Sequence, residues 1–280
     1  MTSQDFENQT CLIVIDGQFD FTDLSGAALP VNGGATALQN IGQALQASPT
    51  AVDKVVLTQD WHKKNAFTSA AAERIVDQDG VPLQGYTSVP WEMVFTSTNQ
   101  GKQFKAADPN DQDWLLTSSE ELARRGGKEI MVWPEHCVED TPGAEFDDAL
   151  MRGVAAWTTA TGRYPVVHRK SLDPEREQYG AFGAEIPNRY TGEMEFDEEL
   201  VHSILMRKRK LWGGLARGHC LAASFDQALS REDPANYHTH VILRDGTADV
   251  QGFEDFGESW MKGWREKGVQ VMTVAEAFAA

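Results

Sequence analysis

Along the chain, short apolar or β-branched runs alternate with longer stretches of helical periodicity. The runs are CLIVI at 11–15, KVVLT at 54–58, EIMVW at 129–133, PVVH at 165–168, KLWGG at 210–214, THVIL at 239–243 and VQVMT at 269–273. Runs this short and this apolar suit strands covered on both faces, the condition of a parallel sheet. Helical spacing covers 34–47, 118–125, 144–152, 197–207, 219–230 and 254–267, with Asp197 as an N-cap and Gly268 as a stop signal. Strands alternating with helices predict an α/β fold, a doubly wound, mainly parallel six-stranded sheet with helices on both faces. No repeat, low-complexity tract or long linker divides the chain, so 1–280 reads as one domain. Roughly 70 residues, 59–128, separate the second and third runs, which is longer than an ordinary connection and predicts an insertion around 69–128.

Charge narrows the partners. The 280 residues carry 25 Lys and Arg against 42 Asp and Glu, a net charge of −17. Such a surface argues against nucleic acid and anionic membranes, which need clustered cations, and favours a small-molecule ligand. The basic run Arg207 to Lys210 is expected at a helix C-terminus, facing solvent. Three widely spaced cysteines, Cys11, Cys137 and Cys220, cannot all pair with one another and point to a reducing compartment. The polar, acidic first ten residues lack the basic and apolar regions of a secretory signal, and no apolar run is long enough to span a bilayer. A cytoplasmic protein is therefore expected, with a homo-oligomer left open.

Candidate chemistry gathers where a parallel sheet binds ligands, at the carboxyl ends of its strands. Asp16 directly follows CLIVI. A desolvated carboxylate there either finds a donor, as in a structural turn cap, or has a raised pKa suited to proton transfer. Asp60 and His62 lie past KVVLT, two apart, so they can point the same way in an extended segment; His136 follows EIMVW. Two imidazoles and one carboxylate suit zinc, iron or manganese, although ordinary hydrogen-bonded histidines read the same way in sequence. Cys220 lies where a strand runs through a Gly-rich turn into an Ala-rich helix. A helix N-terminus would lower its thiol pKa and offer amides to an oxyanion; a buried, inert cysteine is the alternative. Lys170, past PVVH, could bring an amine to the same cleft.

Taken in order, LIVIDGQFDF, VVLTQDWHKKNAF, WPEHCVEDTPGAEF, RKSLDPEREQYGAF and GGLARGHCLAASFDQAL resemble the nicotinamidase branch of the isochorismatase-like cysteine hydrolases, across nearly the whole chain. The resemblance implies Asp16, Lys170 and Cys220 as catalytic residues, and Asp60, His62 and His136 as ligands to one divalent transition metal, zinc first, iron or manganese otherwise. It implies an oxyanion hole from the amides of Ala216 and Cys220, with a cis peptide between Leu215 and Ala216. Phe21, Trp61, Trp133 and Tyr179 would pack against the substrate ring. The implied reaction converts nicotinamide and water to nicotinate and ammonia through a thioester on Cys220. Two departures stand out. Arg217-Gly218-His219 replaces the Thr-Asp-Tyr of many nicotinamidases, and Asn65 and Ala66 stand where many carry a further His. The altered turn keeps open another small carboxamide, carbamoyl or maleamate-like, as substrate, and a catalytically silent binding relative is the third reading.

Overall fold

The computed structural model describes residues 9–96, 101–126 and 128–279. Most of the polar amino-terminal stretch, residues 1–8, thus lies outside the described residues, as do 97–100 and 127 of the expected insertion. The described strands are β1 (Thr10–Ile15), β2 (Lys54–Asp60), β3 (Ile75–Asp77), β4 (Thr87–Val89), β5 (Phe104–Ala106), β6 (Ile130–Val132), β7 (Val166–Lys170), β8 (Arg209–Leu215), β9 (His240–Ala248) and β10 (Gln270–Met272). The helices are α1 (Gly34–Ala47), α2 (Gln112–Gly126), α3 (Asp148–Thr161), α4 (Glu198–Leu205), α5 (Ala222–Leu229), α6 (Glu254–Glu266) and α7 (Val274–Ala279).

Six strands form one sheet in the order β10-β9-β8-β1-β2-β7, every pair parallel. The chain leaves β1 toward β2 and β7, then returns to its other side through β8, β9 and β10. That reversal at β1 opens a crevice at the carboxyl ends. Helices cover both faces: on β8 the Gly213 position faces Ile41 of α1, while its neighbour Trp212 packs its ring 5.2 Å from Phe225 of α5. Cys11 to Ile15 of β1 are wholly buried, as the unbroken apolar run requires. Beside them Gly214, at φ +105°, leaves no room for a side chain: a Cβ would lie 2.0 Å from the Ile15 carbonyl oxygen.

Three expectations need correction. The run EIMVW does not join the main sheet; β6 pairs antiparallel with β4, and Ile130 and Val132 are buried in a second apolar cluster with Val89, Leu115 and Leu122. An apolar pattern reports burial but not which sheet supplies it. The helix expected at 144–152 begins later, because Asp147 caps it by accepting from the amides of Ala149 and Leu150. The basic run is not uniformly solvent-facing: Lys210 lies within β8, 2% exposed, paired with Glu232 and donating to Thr239. Among the described residues, no helix is long and apolar enough to cross a membrane.

Candidate active site

Asp16, at the end of β1, is fully buried and adopts a left-handed φ of +45°. Thr58 of β2 holds this conformation from both sides, accepting from the Asp16 amide at 2.9 Å and donating to Oδ1 at 2.6 Å. Lys170, closing β7 and 1% exposed, sets its ammonium 3.2 Å from Asp16 Oδ2, 3.4 Å from Asp60 Oδ1 and 3.5 Å from Cys220 Sγ. The acid, the amine and the thiol thus converge from three strand ends. Burial favours the neutral Lys170, but Asp16, Asp60 and Cys220 outweigh it and hold its pKa well above the ordinary value. Burial also raises the Asp16 carboxyl, opposed by Lys170 and aided by the charge of Asp60.

Cys220 lies in a π-helical turn, Arg217–Leu221, that precedes α5 and follows a cis peptide between Leu215 and Ala216. The amides of His219 and Leu221 both donate to the Ala216 carbonyl. The expected lowering of the thiol pKa is not found. Burial pushes Cys220 well above its ordinary value, against the pull of Lys170 and with the charges of Asp16 and Asp60. Cys11 and Cys137 are buried elsewhere; burial drives both upward, Cys11 to about 12.

Asp60, His62 and His136 offer one ligand atom each, all within 4.8 Å of one another. His62 Nε2 lies 3.0 Å and His136 Nε2 3.6 Å from Asp60 Oδ2. His136 Nδ1 is 2.7 Å from the Pro134 carbonyl, which fixes Nδ1 as the protonated nitrogen and leaves Nε2 free for a metal. Although β6 is outside the main sheet, His136 reaches Asp60 because the 133–139 segment zips onto the chain after β2. The His62 amide donates to the Cys137 carbonyl, and Glu139 returns a bond to the His62 carbonyl. Burial alone would raise Asp60, yet His62 and Lys170 hold it well below the usual range. The donor set fits a divalent transition ion with open positions.

Phe21, Trp133, Tyr179, His136 and His219 wall a partly open cavity of about 30 Å³ whose lining includes Lys170 and Cys220. Ala216 lies on the same lining. Trp61 does not. Between Asp60 and His62 it faces the other way, with the Arg169 guanidinium carbon 3.7 Å from its ring centroid. Sequence reasoning passed over Glu177, Gln178, Leu29 and Val250, which also line the cavity, and Gln18, which clamps the Asp60 backbone through two 2.7 Å bonds. Glu177 follows Lys170 by seven residues, where only a folded-back loop brings it to the site.

No protein-family model matches the chain. The nicotinamidase of Saccharomyces cerevisiae is 27% identical over 171 residues, which cover 61% of each chain, so the match spans less than two thirds of that relative. Over 94% of this chain and 99% of the other, the structure superposes on the yeast enzyme bound to the inhibitor nicotinaldehyde, with a TM-score of 0.62 at 19% identity. A nicotinamidase-pyrazinamidase of Acinetobacter baumannii gives 0.62 at 19%, covering 96% and 98%. The chain has the nicotinamidase fold. A pyrazinamidase of Pyrococcus horikoshii in complex with zinc shares it at a TM-score of 0.51 and 19% identity, over 95% and 99%.

Proposed function

We propose that this protein is a cysteine amidohydrolase that converts nicotinamide and water to nicotinate and ammonia. The convergence of Asp16, Lys170 and Cys220 beneath an aromatic-walled cavity, beside a carboxylate and two imidazoles, carries this reading. Likeness to nicotinamidases supports it. Cys220 Sγ attacks the carboxamide carbon while its proton passes to Asp16, whose raised pKa makes it an effective acceptor. Asp16 then protonates the nitrogen as the C–N bond breaks, leaving a thioester and ammonia. Water adds to the thioester, giving its proton to Asp16, and Cys220 leaves as thiolate and is reprotonated. Lys170 stabilises the charged pair throughout, and the amides of Ala216 and Cys220 hold the oxyanion. Phe21, Trp133 and Tyr179 flank the ring.

A divalent transition ion on Asp60, His62 and His136, zinc first and iron or manganese otherwise, would anchor the pyridine nitrogen. The reading includes a single domain with 69–128 as its insertion, and a cytoplasmic location to suit three unpaired buried thiols. Ammonia release from nicotinamide and from benzamide tests it. Nicotinamide should turn over and benzamide, without a ring nitrogen, should be much poorer; inert nicotinamide, or equal rates for both, would overturn it.

A further inference from the structure

Next to the catalytic cavity lies a second, more open chamber of about 290 Å³. The two share Trp133, Tyr179 and His219 as a common wall, and Met131, Phe253 and Phe256 complete the apolar side of the outer one. Phe256, 56% exposed, presents its ring on the lining of this chamber. His219 packs edge-on against Trp133 and Phe253, at 5.5 and 4.8 Å, and its Nδ1 is buried with no hydrogen-bond partner among the described residues. Lys128 and Glu129 both line the chamber, and the Lys128 ammonium lies 3.9 Å from Glu185 and 4.7 Å over the Tyr179 ring. A chamber of this kind suits a flat, neutral, apolar group.

We propose that the outer chamber is a substrate subsite, so that the enzyme takes pyridine carboxamides carrying an apolar or aryl substituent, with His219 as the residue dividing ring from substituent. This rests on the amidohydrolase reading, which also fixes the direction. The carboxamide must lie at the buried end, over Cys220 and Asp16, and the ring nitrogen on the side of Asp60, His62 and His136. The ring edge remote from both is carbon 5, which leaves a 5-substituent directed toward the shared wall and the chamber beyond it. The inner cavity is the smaller of the two, about 30 Å³ against about 290 Å³.

The test compares nicotinamide with 5-phenylnicotinamide in turnover, and nicotinate with 5-phenylnicotinate in calorimetric binding, for the wild type and Phe256→Ala. The phenyl amide should have a kcat/KM at least equal to that of nicotinamide. Its acid should bind about tenfold more tightly than nicotinate, and Phe256→Ala should remove most of that advantage. If nicotinamide reacts while the phenyl amide is rejected by about 100-fold or more, or if Phe256→Ala affects both acids equally, the subsite is wrong. Should neither amide react while the Phe256-dependent binding advantage persists, the amidohydrolase reading fails and the subsite stands.

Discussion

The main sheet and the inserted segment contribute to one cavity in different ways. The sheet supplies Asp16, Asp60, Lys170 and Cys220 from strand ends or the turn after one; β1 is wholly buried from Cys11 to Ile15, and the edge strand β7 exposes Val166 and Val167 but buries Lys170. The segment from 61 to 136 supplies His62, Trp133 and His136 from loops around three-residue strands and the separate apolar cluster of Phe67, Ile75, Val89 and Leu115. It is tied to the later loop by Arg74, which bridges Asp111 and Glu175, and by Arg189 on the same two carboxylates. The groups that would make and break bonds thus sit on the main sheet, together with the metal-ligand candidate Asp60, while the two imidazoles and Trp133 sit on the irregular segment. The comparison teaches that reactivity and selectivity can be altered separately here.

The largest separation should come from Cys220→Ala, which should cut turnover by about 10⁴-fold or more with little change in melting temperature; near-normal rates would remove the covalent role. On the insertion side, His136→Ala should lose about one equivalent of bound metal, read by elemental analysis, while its circular dichroism stays that of the parent. Retention of the ion would detach this segment from the metal site. The two cores can be set against each other directly. Ile13→Ala in β1 should cost about 3–5 kcal/mol in a cooperative denaturant transition, since its surroundings are held on both faces and cannot collapse. Leu115→Ala in α2, equally buried, should cost about 2 kcal/mol and raise hydrogen exchange mainly between 61 and 136. Equal, global responses from both would show one cooperative unit and end the distinction.

The smallest effect concerns acid. Burial would raise Glu232, but bonds from His240 and Asn236 and the charge of Lys210 hold it at about 2, below its ordinary 4.5. A lowered carboxyl stabilises the fold above pH 4.5, and that contribution is lost as pH falls toward 2. Burial also lowers His240, partly offset by Glu232, so protons favour unfolding there as pH drops below 6.5. Both terms have the same sign. Glu232→Gln should therefore flatten the stability profile between pH 4.5 and 2, measured by urea midpoints; an unchanged slope would place the acid sensitivity of the sheet elsewhere.

The central strands of the main sheet could be read from the chain alone, because a strand covered on both faces, as β1 is, must be apolar throughout. That Asp60 and His62 can point the same way was legible from alternation along an extended chain, whereas the expected place of Trp61 against a substrate ring was not met: Trp61 lies against Arg169. The candidate residues were legible where one directly follows a buried run, as Asp16 does after β1. Tertiary structure decided the rest. It assigned β6 to a partner other than the main sheet, because pairing depends on which edge is open and not on the apolarity of the run. It set the thiol of Cys220 high, because burial outweighs the lone nearby ammonium, a balance that depends on distances across 50 residues of chain. It also folded Glu177 and Gln178 back to the cavity and placed a second chamber behind His219, since volumes between elements exist only once those elements have packed.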